Sequence, residues 1–154
     1  MQTSTSAGGI GALLGAQGYL AVPLRRIGAG LDTFTLGMNG AQGIFLLDTG
    51  ASHSVINQRA APKFKLTSRD LRGSEIAIGA GGDVELSSYR ISGLTVQGQN
   101  FPFTDISATD LTHVVNAFSR DTGITLDGII GQDVLIAFDG VIDTKNRTLY
   151  LRRP

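Results

Sequence analysis

The run Ile44-Phe45-Leu46-Leu47-Asp48-Thr49-Gly50-Ala51-Ser52 delivers an apolar strand onto a carboxylate and turns at once through Thr-Gly. A strand of Phe and Leu rarely carries a charge inward unless the charge is paired or used. Here Asp48 falls at the strand's end, where a cleft can form. A carboxylate so placed can serve as half of an acid–base pair: one partner activates water, the other protonates a carbonyl, and the two share one proton. Two like charges about 3 Å apart do not both ionise, so such a pair titrates in two macroscopic steps. The chain offers one such element, which makes its chemistry also a question of oligomeric state.

The elements that must position Asp48 read as short strands. Glycine is abundant at 21 residues, and Val, Ile, Leu and Thr recur in short runs between turn signals, the pattern of an all-β domain. Tyr19 to Arg26 and Thr33 to Met38 read as strands, and Asn39-Gly40 as a two-residue hairpin turn, because both positions tolerate positive φ. The chain returns through Gln42 to Asp48, with apolar residues on both faces of Ile44 to Leu47, so this strand is expected inside the core. Ser54 to Asn57 is followed by a polar segment to Arg72 with room for one helical turn. Strands over Ser74 to Ile78 and Asp83 to Ile91 flank Gly79-Ala80-Gly81-Gly82, and Leu94 to Phe103 reads as a strand pair. Thr109 to Phe118 is the best helix, with Thr109 or Asp110 as cap. Asp127 to Leu135 begins as an apolar strand and turns helical, and Val141 to Leu151 reads as a hairpin around Lys145-Asn146.

At 154 residues and 42% hydrophobic the chain holds one domain with a real core. Residues 1–18, rich in Gly, Ala, Ser and Thr, are expected to be a flexible tail, with the domain at 19–154; no Lys or Arg precedes the apolar Ile10 to Ala16 as a secretory signal requires. Thirteen basic and thirteen acidic residues cancel, giving no electrostatic case for nucleic acid or an anionic membrane. No apolar stretch reaches the ~18 residues of a membrane span. Without cysteine there is no disulfide or thiolate metal site, and His53 and His113 are too few and too far apart for zinc. The residues do not indicate a compartment.

Three features stand in order: Leu47-Asp48-Thr49-Gly50-Ala51-Ser52, the glycine hairpin Gly79 to Gly82, and Ile129-Ile130-Gly131 followed by Gln132-Asp133-Val134-Leu135. Together they resemble the retropepsin-like aspartic proteases, the family of the retroviral protease and its single-domain bacterial relatives, from about Val22 to Leu151. The resemblance implies a small closed-barrel-like all-β fold with one or two short helices, acting as a homodimer in which each chain gives one Asp48 to a dyad on the two-fold axis. It implies an endopeptidase that binds an extended polypeptide and uses water as nucleophile, with no metal and no cofactor. Thr49 would pin the two loops across the axis, and Gly50 would let the backbone approach the carboxylate. Ala51 stands where pepsin-like members often carry a Ser whose hydroxyl stabilises the ionised carboxylate, which implies an optimum in weak rather than strong acid. Gly79, Ala80, Gly81 and Gly82 would form a flap tip, Ile129, Ile130 and Gly131 would pack beside the catalytic loop, and Ile76, Ile78, Val84, Ile129 and Val134 would line side-chain pockets. The stretch from Asp105 to Gly123 has no obvious counterpart in the viral enzymes.

Other residues have plainer readings. A second Asp121-Thr122-Gly123 follows no apolar strand and lies too close in the chain to Asp48 for two complete lobes; it reads as a loop leading into a strand over Ile124 to Ile130. Asp48, Ser52 and His53 are too close together to converge as a hydrolase triad. Asn146-Arg147-Thr148 reads as a hairpin turn rather than a glycosylation site. Asp127, Asp133, Asp139 and Asp143, beside glycines or in turns, read as solvated caps and turn formers. The competing function is a noncatalytic interaction or dimerisation module of the same fold, with Asp48 satisfied by backbone donors.

Overall fold

A computed structural model of the protein describes residues 9–28, 30–79 and 82–154. In chain order the elements are α1 (Ile10–Ala16), β1 (Tyr19–Pro23), β2 (Arg25–Ile27), β3 (Leu31–Met38), β4 (Ala41–Leu47), β5 (Val55–Asn57) and one 3₁₀ turn (Gln58–Ala60). There follow β6 (Leu71–Gly79), β7 (Gly82–Arg90), β8 (Leu94–Val96), β9 (Gln99–Phe101), β10 (Asp105–Thr109), α2 (Thr112–Thr122), β11 (Gly128–Ile130), α3 (Gln132–Ala137), β12 (Val141–Asp143) and β13 (Thr148–Arg152). Among the described residues no helix is long and apolar enough to cross a membrane.

The larger sheet runs β6-β7-β10-β5-β11-β4-β3-β8-β9, with β2 beside β3, and the smaller one runs β1-β13-β12. The mostly β architecture with few short helices matches expectation, but the closed barrel does not: among the described residues the long sheet is an open path from β6 to β9. Each end strand is paired on one side only, β6 with β7 and β9 with β8.

The turn at Asn39-Gly40 forms as its residues dictate. Met38 pairs with Ala41, and the two central residues have φ of 52° and 84°, the backbone whose twist matches the flanking strands. The hairpin sets the register of β4, so Phe45 enters the main core fully buried beside Phe34, Leu36, Ile56 and Phe64. Burying one such ring contributes roughly 1.5–3 kcal/mol. The opposite face of β4 is covered as well: Ile44 and Leu46 pack against a second cluster built from Ile27, Val115, Phe118 and Leu126. Two covered faces explain the unbroken apolar run before Asp48.

The second cover comes from the stretch without an expected counterpart. Within it β10 lies between β7 and β5, antiparallel to the first and parallel to the second, and α2 supplies Val115 and Phe118. The helix starts three residues later than expected, at Thr112, whose N–H is accepted by the Asp110 carboxylate at 2.9 Å. It ends at Asp121-Thr122-Gly123, where Gly123 takes a left-handed φ of 75° as a helix-terminating residue. The second Asp-Thr-Gly is therefore a helix terminus, not a loop into a long strand, and β11 is confined to Gly128–Ile130. The first expected strand breaks at Leu24 into β1 and β2, which join different sheets. Within the stretch expected as a tail, residues 10–16 form α1, whose Leu14 is buried although Ile10 and Leu13 stay exposed, and residues 1–8 lie outside the described residues.

Candidate active site

Asp48 sits one residue past β4, half-buried, at the head of an exposed turn. The turn closes by the Ala51 N–H donating to the Asp48 carbonyl at 3.1 Å. The Gly50 N–H donates to the Asp48 Oδ1 at 2.9 Å, which fixes the carboxylate's orientation toward its own loop. A Cβ on Gly50 would stand 3.2 Å from that oxygen, so a larger residue would crowd the group it presents. Thr49, Ser52 and His53 are exposed, and Ser52 Oγ lies 3.1 Å from His53 Nδ1.

The loop does not stand alone. β11 lies between β4 and β5, pairing parallel with β4 at Ile129↔Leu46 and Ile130↔Leu47 and antiparallel with β5. The Asp48 N–H donates to the Ile130 carbonyl at 3.0 Å and the Gln132 N–H to the Ala51 carbonyl at 2.8 Å. The Gln132 Nε2 reaches the Thr49 carbonyl at 2.8 Å. Gly131 is the closest approach: a Cβ there would lie 2.4 Å from the Ala51 carbonyl oxygen, and at Gly128 the same distance from that of Val55. Both glycines are required by contact with backbone. Residues 48–52 and 129–131, widely separated in sequence, are thus brought together.

Three residues missed as site components complete this region. Ser54 is buried; its hydroxyl donates to Asp133 Oδ1 at 2.6 Å and accepts the Gly131 N–H at 2.8 Å. Asp133 is therefore no solvated cap: it binds a residue 79 positions away. Asp127 is likewise buried, its Oδ2 accepting the Ile44 N–H and the Lys63 ammonium, each at 2.9 Å. An acid beside a glycine looks the same in sequence whether water or a distant serine satisfies it, so only the fold separates the cases. Asp139 is exposed as expected, and Asp143 accepts both the backbone and side-chain N–H groups of Asn146 in the β12–β13 turn. These bonds, the side-chain one foremost, hold Asp143 below the usual carboxylate range.

The residues expected to line side-chain pockets differ in exposure. Val134 is 1% exposed and belongs to the core, so it lines no pocket; the start of α3 turns it inward. Ile76 and Val84 are exposed on the β6–β7 hairpin. At the tip Gly79 pairs with Gly82, while Ala80 and Gly81, the centre of the expected flap tip, lie outside the described residues, as does the side chain of Ile78. A cavity of ≈ 390 Å³ opens beside the Asp48 loop, bounded by Thr49, Gln132, Leu135, Ile136, Asp139, Gly140 and Ile142. Ile136 on its rim is 71% exposed.

Residues 34–134, spanning β3 to the start of α3, match the family model described as aspartyl protease. The chain belongs to the aspartyl protease family. Among solved structures, this aspartyl protease domain is similar to a retropepsin-like aspartic protease from Rickettsia conorii, at 18% identity and a TM-score of 0.59, covering 87% of this chain and 98% of that one. It is similar also to the EIAV protease complexed with the inhibitor HBY-793, at 24% identity and a TM-score of 0.53, covering 70% of this chain and 88% of that one. These likenesses establish the retropepsin-like fold. No curated protein matches the chain at a significant level.

Proposed function

We propose that the protein is an aspartic endopeptidase whose active form is a homodimer, with Asp48 of each chain forming a dyad that activates water and protonates the scissile carbonyl. The observation that carries this reading is the presentation of Asp48: a half-buried carboxylate, oriented by the Gly50 N–H, at the head of an exposed loop clamped to Ile130 and Gln132. The Asp121 motif offers no second acid of this kind, since it closes a helix. A second copy then completes the pair. The exposed Thr49 beside the cavity edged by the exposed Ile136 and by Asp139 gives a partner loop a mixed polar and apolar surface to meet, and a self-complementary contact suits a two-fold dimer.

On this reading the β6–β7 hairpin is the flap. It carries Ile76 and Val84 in the open, and an extended polypeptide would be held by strand-like backbone pairing with side chains against such residues. Water is the nucleophile, and no cofactor enters.

The test is cleavage of a peptide library by the wild-type chain and by Asp48→Asn, in weak acid and at neutral pH, together with sedimentation over a concentration series. Cleavage that Asp48→Asn abolishes, with activity rising with the dimer fraction, supports the proposal. A wild type that cleaves nothing and does not bind pepstatin overturns it, and a strict monomer that still cleaves overturns the dimer.

A further inference from the structure

We propose that Asp133 is a positioning residue for the catalytic loop, acting on Asp48 through Ser54 and Gly131; its role in catalysis rests on the endopeptidase reading above. The Asp133 carboxylate collects donors from two elements. From the catalytic loop it accepts the Ser54 hydroxyl at 2.6 Å on Oδ1 and the Ser54 N–H at 2.9 and 3.0 Å on its two oxygens. From the first turn of α3 it accepts the Val134 N–H at 2.8 Å. Among the described residues it makes no ion pair. The carboxylate is thus held by N–H and O–H donors, a set of charge-assisted bonds that are stronger and more directional than neutral ones.

Ser54 passes the constraint on. It is 1% exposed, and its hydroxyl is used in both senses, donating to Asp133 and accepting the Gly131 N–H at 2.8 Å. Gly131 follows Ile130, whose carbonyl accepts the Asp48 N–H at 3.0 Å. The chain of contacts therefore runs from Asp133 through Ser54 and Gly131 to the strand end that carries Asp48. Removing the carboxylate leaves the Ser54 N–H and hydroxyl without their acceptor in a buried place, which favours a local rearrangement of the loop. A reacting group displaced by about 1 Å loses on the order of 10²-fold in rate.

The experiment measures kcat and KM for peptide cleavage, together with amide hydrogen exchange, in the full chain and in Asp133→Ala and Asp133→Asn. For Asp133→Ala we expect kcat to fall about 10- to 100-fold with KM within about threefold of wild type. Exchange at the Asp48, Gly131 and Gln132 amides should rise about tenfold or more while the β3–β4 ladder keeps its protection. Asp133→Asn retains an Oδ1 acceptor for the Ser54 hydroxyl and the Val134 N–H, so it should recover kcat to within about fivefold of wild type. An unchanged kcat in Asp133→Ala, a rise in KM alone, or a uniform loss of protection across the fold overturns the proposal. Should Asp133→Ala not fold, Ser54→Ala decides, because it leaves the Gly131 N–H without its acceptor and cuts the link to Asp133: a reduced kcat with faster Gly131 exchange supports the positioning role, and wild-type values of both overturn it. A wild type that cleaves nothing overturns the endopeptidase reading and with it any catalytic role for Asp133, while the exchange data still decide whether the clamp exists.

Discussion

The loop that carries Asp48 and the β6–β7 hairpin are both glycine-punctuated, yet they are held in opposite ways. Residues 48–54 are tied to residues 130–133 by backbone and side-chain bonds that cross the chain. In the hairpin, residues 71–76 and 82–85 are exposed and are held by a two-stranded ladder running from Leu71↔Tyr89 to Gly79↔Gly82. Cross-links anchored on the buried Ser54 tie the first region to the core, and a ladder open to water leaves the second near the low end of local stability. On the proposed reading, a carboxylate that meets a partner within about 3 Å needs the first, and a segment that admits and covers a chain needs the second.

The comparison breaks most sharply on chemistry. Asp48→Asn should reduce cleavage by at least about 10³-fold while leaving the melting temperature within a few degrees of wild type, measured by peptide hydrolysis and calorimetry. Substitutions at the two kinds of glycine separate the regions next. Gly131 has extended backbone but no space, since an added Cβ would meet the Ala51 carbonyl at 2.4 Å, so Gly131→Ala should destabilise by roughly 1–3 kcal/mol. Gly82 has open space but a left-handed φ of 114°, so Gly82→Ala should cost about 1 kcal/mol, all of it conformational. Denaturant titration reads both, and equal costs would remove the distinction.

A smaller effect isolates the flap. Ile76 is 64% exposed, so Ile76→Ser should change stability by no more than about 0.5 kcal/mol while raising KM several-fold; an unchanged KM would detach the hairpin from substrate binding. The smallest effect lies at the α2 start. The exposed Asp110 carboxylate is held below its ordinary range, first by the Thr112 hydroxyl and then by the Thr112 N–H. Since folding depresses this group, its contribution is present above the unfolded value and is lost as pH falls through the folded one. Asp110→Ala should therefore lower the melting temperature slightly at neutral pH, with the difference fading in strong acid.

Much of the site was legible in the residues because its parts are local signals. An apolar strand ending in Asp-Thr-Gly, the Asn39-Gly40 turn and Ile-Ile-Gly running into a helix each fix a backbone shape within a few residues. Two errors share one cause. Asp127 sits beside a glycine and Asp133 two residues after one, like any turn acid, and Val134 follows Asp133 at a helix start like any pocket residue. What separates them is the distant groups they meet: Lys63 and Ile44 for Asp127, Ser54 for Asp133, the core for Val134. Within the stretch from Asp105 to Gly123 the helix was legible but β10 was not, for the same reason, because β10 is defined by its neighbours β5 and β7 rather than by its own pattern.

The sequence by itself determined the strand that carries Asp48, the turn that presents it and the single count of that motif, since these depend on side-chain period, on glycine's conformational freedom and on chain length. The tertiary structure alone decided that β11 lies between β4 and β5, that α2 covers the second face of β4, and that Asp133 and Ser54 clamp the loop. Those are matters of which buried donor meets which acceptor across tens of residues. Local propensity does not encode such pairings, and burial enforces them once the chain has packed.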